Sequence, residues 1–193
     1  MLRVGYLGRF DPKKNLDLLI RALAKLPDSV FLHVAGDGPI ELRRSLERLA
    51  VELGVEERVA WRGFVQADEK CTFFEGIDLL AMPSSYECFG VAAAEAIWEG
   101  LPTLVSTRTG IAEIVERNAC GYVVEPNEQA IVTALRSVAD HPRSLLDKAE
   151  GTIRAVQELS QAAHGSRLRY EYDCLLGASA ADPERAQTAE ERS

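Results

Sequence analysis

Short apolar runs alternate along this chain with stretches of helical period, and this alternation restricts the fold more than any other feature. The runs are Leu2–Leu7, Val30–Ala35, Val59–Val65, Asp78–Met82, Thr103–Ser106 and Gly121–Val124, each followed by a glycine, a proline or a polar residue. Runs of this kind read as buried strands. Between them, Leu16 to Leu26 keep a helical period that Pro27 closes, Leu42, Leu46, Leu49 and Leu53 keep a second, and a helix is expected from about Asp68 to Gly76. Later, Ile131, Leu135 and Val138 mark a helix over Glu128–Asp140, and further helical regions cover Arg143–Leu159 and Arg167–Leu176. Strand and helix in turn, with short connections, imply an α/β fold: a Rossmann-like parallel sheet of about six strands with helices on both faces. The length of 193 residues suits one domain, expected over residues 1–177. From Ala178 the chain has almost no large apolar side chain, so residues 178–193 are expected to form a loose tail.

The stretch from Tyr86 to Pro102 carries the densest chemistry. Ala92-Ala93-Ala94 combines high helix propensity with little bulk, and Gly100 with Pro102 stops the helix. Gly90 would stand at its start, where unpaired N–H groups and partial positive charge seat a phosphate. Glu95 lies further along the axis by roughly 7.5 Å, at about 1.5 Å of rise per residue. A carboxylate there can accept from the hydroxyls of a ribose whose phosphates rest on the helix tip. Glu87, in the turn before the helix, would meet the group at the other end of the phosphates.

Arg9 and Lys14 stand in the loop after the first run, and open α/β sheets bind ligands at such loops. Arg through its planar fork and Lys as a point charge would neutralise a diphosphate. By themselves two loop cations read as solvated; the Glu pair downstream turns the reading towards an anion site. Gly36-Asp37-Gly38-Pro39 makes a tight turn but lacks the third glycine of the nicotinamide fingerprint. His33 and Trp61 read as core residues.

Glu-x-Phe-Gly-x-x-x-x-Glu-Ala at Glu87–Ala96, followed by Gly-x-Pro and preceded by Gly-Arg-x-x-x-x-Lys at Gly8–Lys14, resembles a known signature. It is similar to that of retaining glycosyltransferases with the two-Rossmann-domain (GT-B) architecture, the glycosyl transferases group 1 family. The likeness belongs to the C-terminal, donor-binding half and runs in motif order from about Gly5 to Pro126. It implies transfer of a sugar from a nucleotide diphosphate sugar to an acceptor hydroxyl, with retention at the anomeric carbon. The residues implied in catalysis are Glu87, which orients the sugar, and Arg9 and Lys14, which grip the diphosphate. Donor binding would also use Glu95 on the ribose, Gly8, and the helix tip at Cys88, Phe89, Gly90 and Val91. The nucleobase is expected near Phe64 and Val65, which read equally as packing at the edge of the core. Thr109-Gly110-Ile111-Ala112-Glu113-Ile114 resembles the family's Gly-Gly-x-x-Glu-Ile segment, with Thr109 in place of the first Gly, and this leaves the sugar preference open.

The resemblance implies no metal and no cofactor beyond the nucleotide diphosphate sugar itself. It also implies an N-terminal acceptor-binding domain as partner, without which the chain is expected to be inactive. A non-catalytic nucleotide-sugar-binding module and a sugar-nucleotide epimerase-like domain remain alternatives. A hydrolase acid/base pair fits poorly, because one carboxylate is embedded in a helix and the other sits at a phosphate-binding tip. The net charge of −8 argues against nucleic acid or an anionic membrane as the main partner. Cys71, Cys88, Cys120 and Cys174 lack the paired spacing of metal or redox sites and read as reduced thiols. The first residues do not resemble a signal peptide, and no run approaches the ~18 apolar residues of a membrane span. A cytoplasmic location is therefore expected.

Overall fold

A computed structural model describes residues 1–66 and 69–160. The expected helix over Arg167–Leu176, Cys174, the domain end at residue 177 and the tail lie outside the described residues. Six strands form, β1 (Leu2–Leu7), β2 (Val30–Ala35), β3 (Val59–Gly63), β4 (Leu79–Met82), β5 (Thr103–Ser106) and β6 (Gly121–Val124). They pair in parallel in the order β3-β2-β1-β4-β5-β6. The helices are α1 (Leu16–Leu23), α2 (Ile40–Glu52), α3 (Lys70–Glu75), α4 (Val91–Trp98), α5 (Ala112–Arg117), α6 (Glu128–Asp140) and α7 (Ser144–Leu159). The sheet and α1 to α6 fall within one compact unit, Met1–Val156.

The apolar spacing explains which face each helix buries. Leu16, Leu19, Ile20 and Leu23 recur at three- and four-residue steps on α1, so one stripe meets the sheet. With Leu46 and Ala50 of α2 and Ile131, Leu135 and Val138 of α6, this stripe packs over Val4, Tyr6, Val30, Leu32 and Val34. The opposite face is covered by Phe73 and Phe74 of α3 and Ala96 of α4, against Ala35, Ile77 and Leu80. The inner strands β4 and β5 are buried at every position, whereas the edge strands β3 and β6 are mostly half-buried or exposed. Two residues expected in the core are only half-buried. Trp61 lies on β3 and is half-buried, with its ring centroid 6.1 Å from that of Phe10. His33 is half-buried too, its Nδ1 3.4 Å from Arg62 on the neighbouring strand. Burial first, then the charges of Arg62 and Arg3, hold the His33 imidazole below its ordinary pKa against an opposing pull from Asp78.

Helix α4 stops as its sequence demands. Gly100 takes φ 78°, its N–H donates to the Ile97 carbonyl, and the Leu101 N–H reaches back to Ala96 at 2.9 Å. This double return satisfies the last carbonyls of the helix and needs a left-handed residue, which glycine supplies without strain.

Strands β1 and β4 share only the register pairs Val4↔Leu79 and Gly5↔Leu80. Side chains reinforce the seam from below. Arg3 donates to Asp78 from its backbone N–H (2.8 Å), its Nε (3.1 Å) and its Nη2 (2.7 Å), and the Asp78 N–H returns to the Arg3 carbonyl at 2.8 Å. Burial pushes the Asp78 carboxyl up, but the hydrogen bonds and charge of Arg3 together outweigh it, so the carboxyl sits below its ordinary pKa. A depressed carboxyl stabilises the fold at pH values above the unfolded pKa and loses that contribution as pH falls through the folded one. Asp78→Asn is expected to lower stability near neutral pH, with the gap to wild type closing below about pH 3.9. Urea unfolding of both proteins across that range checks it.

Candidate functional site

The strand order reverses between β1 and β4, the position where open α/β sheets hold ligands at the carboxyl ends of their strands. Glycines allow the loops there to touch. Gly36 has φ 138°, and a Cβ on it would lie 1.9 Å from the Gly8 carbonyl oxygen, so the turns after β1 and β2 are in backbone contact. The Gly8 N–H donates to Ala35 and the Gly36 N–H to Gly63, extending the ladder past the strand ends. Tyr6, buried in the core, donates its hydroxyl to the Arg9 carbonyl at 3.0 Å and holds that backbone in place. Its burial, with the carboxylates of Asp11 and Glu87, raises the phenol well above its ordinary pKa.

The loop after β1 is tied to the segment after β4. Asn15, left-handed at φ 55°, donates its Nδ2 to the Pro83 carbonyl and to Ser85 Oγ, both at 2.8 Å. The Ser85 N–H donates to the Lys13 carbonyl at 2.7 Å. These ties set Lys14 beside Glu87, and the two side chains form an ion pair. Both are largely covered, whereas the Arg9 side chain is 74% exposed and meets Asp11 at 3.2 Å. The Lys13 N–H holds the Asp11 carboxyl below its ordinary pKa, with the Lys13 charge and the Arg9 hydrogen bond and charge adding to it against desolvation.

The segment carrying Glu87 is shaped by the loop after β5. The Glu87 N–H donates to Arg108, the Gly110 N–H returns to Glu87, and the Ile111 N–H donates to Phe89 at 2.8 Å. A Cβ on Gly110 would fall 2.2 Å from the Cys88 carbonyl oxygen. Thr109, standing where the resemblance expects glycine, is buried and donates its hydroxyl to the Ser106 carbonyl at 2.8 Å. Gly90, at φ 108°, precedes α4, and a Cβ on it would meet Met82 Cε at 2.6 Å. Ala93 and Ala94 both donate to the Gly90 carbonyl, leaving the Val91 and Ala92 amides as first-turn donors without an intrahelical acceptor.

A cavity of about 750 Å³ opens between these loops. Its walls are Gly8 and Arg9 after β1, Gly36, Asp37 and Gly38 after β2, Phe64 and Val65 after β3, and Val91, Ala92 and Glu95 of α4. Lys14, Glu87, Cys88, Phe89 and Gly90 are not among the lining residues and lie in the tied segments on either side in sequence. Cys88 is an exposed thiol with its Sγ 3.3 Å from the Tyr86 hydroxyl. Of the lining residues, Leu7, Gly36, Asp37, Gly38, Lys70 and Ala92 were not site candidates from sequence, and Lys70 is the one with a charged partner in the site. Lys70, the first residue of α3, places its Nζ 2.7 and 2.9 Å from the two carboxylate oxygens of Glu95. Its only sequence signal is a cation at a helix start, where the macrodipole favours acids. Among the described residues, no three His, Cys, Asp or Glu side chains gather as a metal site, and no helix is long and apolar enough to cross a membrane.

A parallel sheet ordered 3-2-1-4-5-6, with a ligand-sized crevice at its reversal, defines a Rossmann-like α/β domain. The family model of glycosyl transferases group 1 matches residues 2–156, and the chain belongs to that family. It is 36% identical over 123 residues to an uncharacterised glycosyltransferase of Methanocaldococcus jannaschii, covering 63% of this chain and 31% of that protein. It is 34% identical over 179 residues to the D-inositol 3-phosphate glycosyltransferase of Mycobacterium tuberculosis, covering 90% of this chain and 36% of that one. The crystal structure of Anabaena HepE in complex with UDP superposes with a TM-score of 0.79 at 25% identity, over 90% of this chain and 49% of HepE. The chain thus spans about a third of the length of these curated relatives and about half of HepE.

The contact between Gly110 and Cys88 yields a test of the site's construction. Gly110→Ala must push the Cys88 carbonyl aside, and thermal unfolding is expected to show a destabilisation of about 1–3 kcal/mol, as for an overpacked interior.

Proposed function

We propose that this chain is the donor-binding half of a retaining GT-B glycosyltransferase, taking a nucleotide diphosphate sugar. The observation that carries this reading is one cavity walled by Arg9, the free first-turn amides of α4 and Glu95. A cation and a helix start suit a diphosphate, and a carboxylate further along the same helix suits the hydroxyls of a ribose. The UDP held by HepE, a protein of the same fold, supports the same class of ligand.

In this reading the bond between the anomeric carbon and the diphosphate breaks, and negative charge grows on the leaving oxygens. Arg9, Lys14 and the amides around Gly90 and Val91 meet that charge as it forms, so the stabilisation is larger in the transition state than before it. The reading calls on no metal ion for this task. Glu95 holds the nucleoside, and Phe64 and Val65 stand where the base would lie. Glu87 orients the sugar once Lys14 turns to the diphosphate. The acceptor hydroxyl is presented by a second domain, in keeping with relatives of which this chain covers about a third. The proposed location is the cytoplasm, where nucleotide sugars are available as substrates.

Isothermal titration of the chain with UDP, GDP and ADP is expected to show binding of at least one, with negligible sugar transfer by the chain alone. Arg9→Ala and Lys14→Ala are each expected to weaken that binding by roughly 1.5–3 kcal/mol, as for a charged hydrogen bond. Unchanged affinity in both variants would place the diphosphate elsewhere.

A further inference from the structure

We infer that Lys70 is a positioning residue that presents Glu95 to the ribose 2′-hydroxyl of the bound nucleotide and so sets the preference for ribo- over 2′-deoxynucleotides. The inference rests on the donor-binding reading of the cleft. Lys70 bonds both oxygens of Glu95 at 2.7 and 2.9 Å, and both side chains are about one-third exposed, inside the cavity wall. A carboxylate offers about four lone-pair sites. An ammonium bridging its two oxygens takes the inward-facing site on each and leaves an outward-facing one on each, so one oxygen still accepts from the ribose 2′-hydroxyl.

The bridge also supplies what the glutamate lacks by itself. The terminal torsion of a glutamate is broad and roughly two-fold, so an untethered carboxylate samples many orientations. Lys70 is itself well anchored, because Phe73 and Phe74 of the same short helix are buried against Ile77 and Leu80. Nothing in α3 explains a lysine at this position. The first turn of α3 holds no acidic residue for it to pair with, and the helix start repels a cation. Its partner is 25 positions away in sequence, across the cavity wall on α4.

The test uses the chain as it stands, titrated with whichever of UDP, GDP and ADP binds best and with the 2′-deoxy form of that nucleotide. Wild type is expected to favour the ribonucleotide by about ten-fold, the size of a hydrogen bond to a charged acceptor. Lys70→Met is expected to weaken the ribonucleotide several-fold, leave the deoxynucleotide nearly unchanged, and so bring the ratio close to unity. Lys70→Arg, which keeps the bridging cation, should recover most of the ratio. An unchanged ratio in Lys70→Met, or an equal loss for both ligands, overturns the inference while leaving the donor reading in place. Failure of wild type to bind any of the three nucleotides removes the donor reading and the inference with it.

Discussion

The crevice exists because β1 and β4 are held as neighbours while the segments that follow them diverge. Backbone pairing alone joins these strands weakly, through two register positions, against six between β1 and β2. Side chains make up the difference at both ends of the seam. Below, Arg3 and Asp78 exchange four hydrogen bonds. Above, Asn15, Pro83, Ser85 and Lys13 fasten the first loop to the start of the segment that carries Glu87. Release of either fastening would let the cavity change width, since its two walls belong to the two sides of that seam.

Within that frame the cleft is shaped mostly by backbone meeting backbone. Gly36 against Gly8 and Gly110 against Cys88 leave no room for a β-carbon, so the four segments after β1, β2, β4 and β5 have their paths set by contact. Preorganisation of this kind keeps donors and dipoles in place without side-chain entropy to lose on binding. The two ion pairs, Lys14 with Glu87 and Lys70 with Glu95, then hold the acidic side chains in chosen orientations.

Much of the architecture was legible in the sequence because strand and helix periods are local signals. The ends of β1, β2, β5 and β6 and of α6 coincide with their apolar runs. Helix α3 covers Lys70–Glu75, within the span its pattern suggested, and buries Phe73 and Phe74. His33 and Trp61, expected in the core, are half-buried, with Trp61 packed against the core from the edge strand, since an apolar run does not say how completely each of its positions is covered. In the site, Arg9 and Glu95 were legible as candidates through motif spacing, Phe64 and Val65 through the family resemblance, and the four line one cavity. Lys70 was not, because its meaning depends on a partner reached through the fold rather than along the helix. The pairing of Lys14 with Glu87 was hidden for the same reason, the two standing 73 positions apart. The partial exposure of each pair likewise follows from how the loops pack, which no local pattern encodes.

The covered pair of Lys14 and Glu87 has one further consequence. Its cation already has an internal counter-ion, so an anion that claims Lys14 must evict a carboxylate rather than water and mobile salt. Occupancy at that spot is an exchange between two negative partners. Such an exchange releases few dissolved ions, and the response of the site to rising ionic strength is correspondingly muted compared with that of an open basic patch.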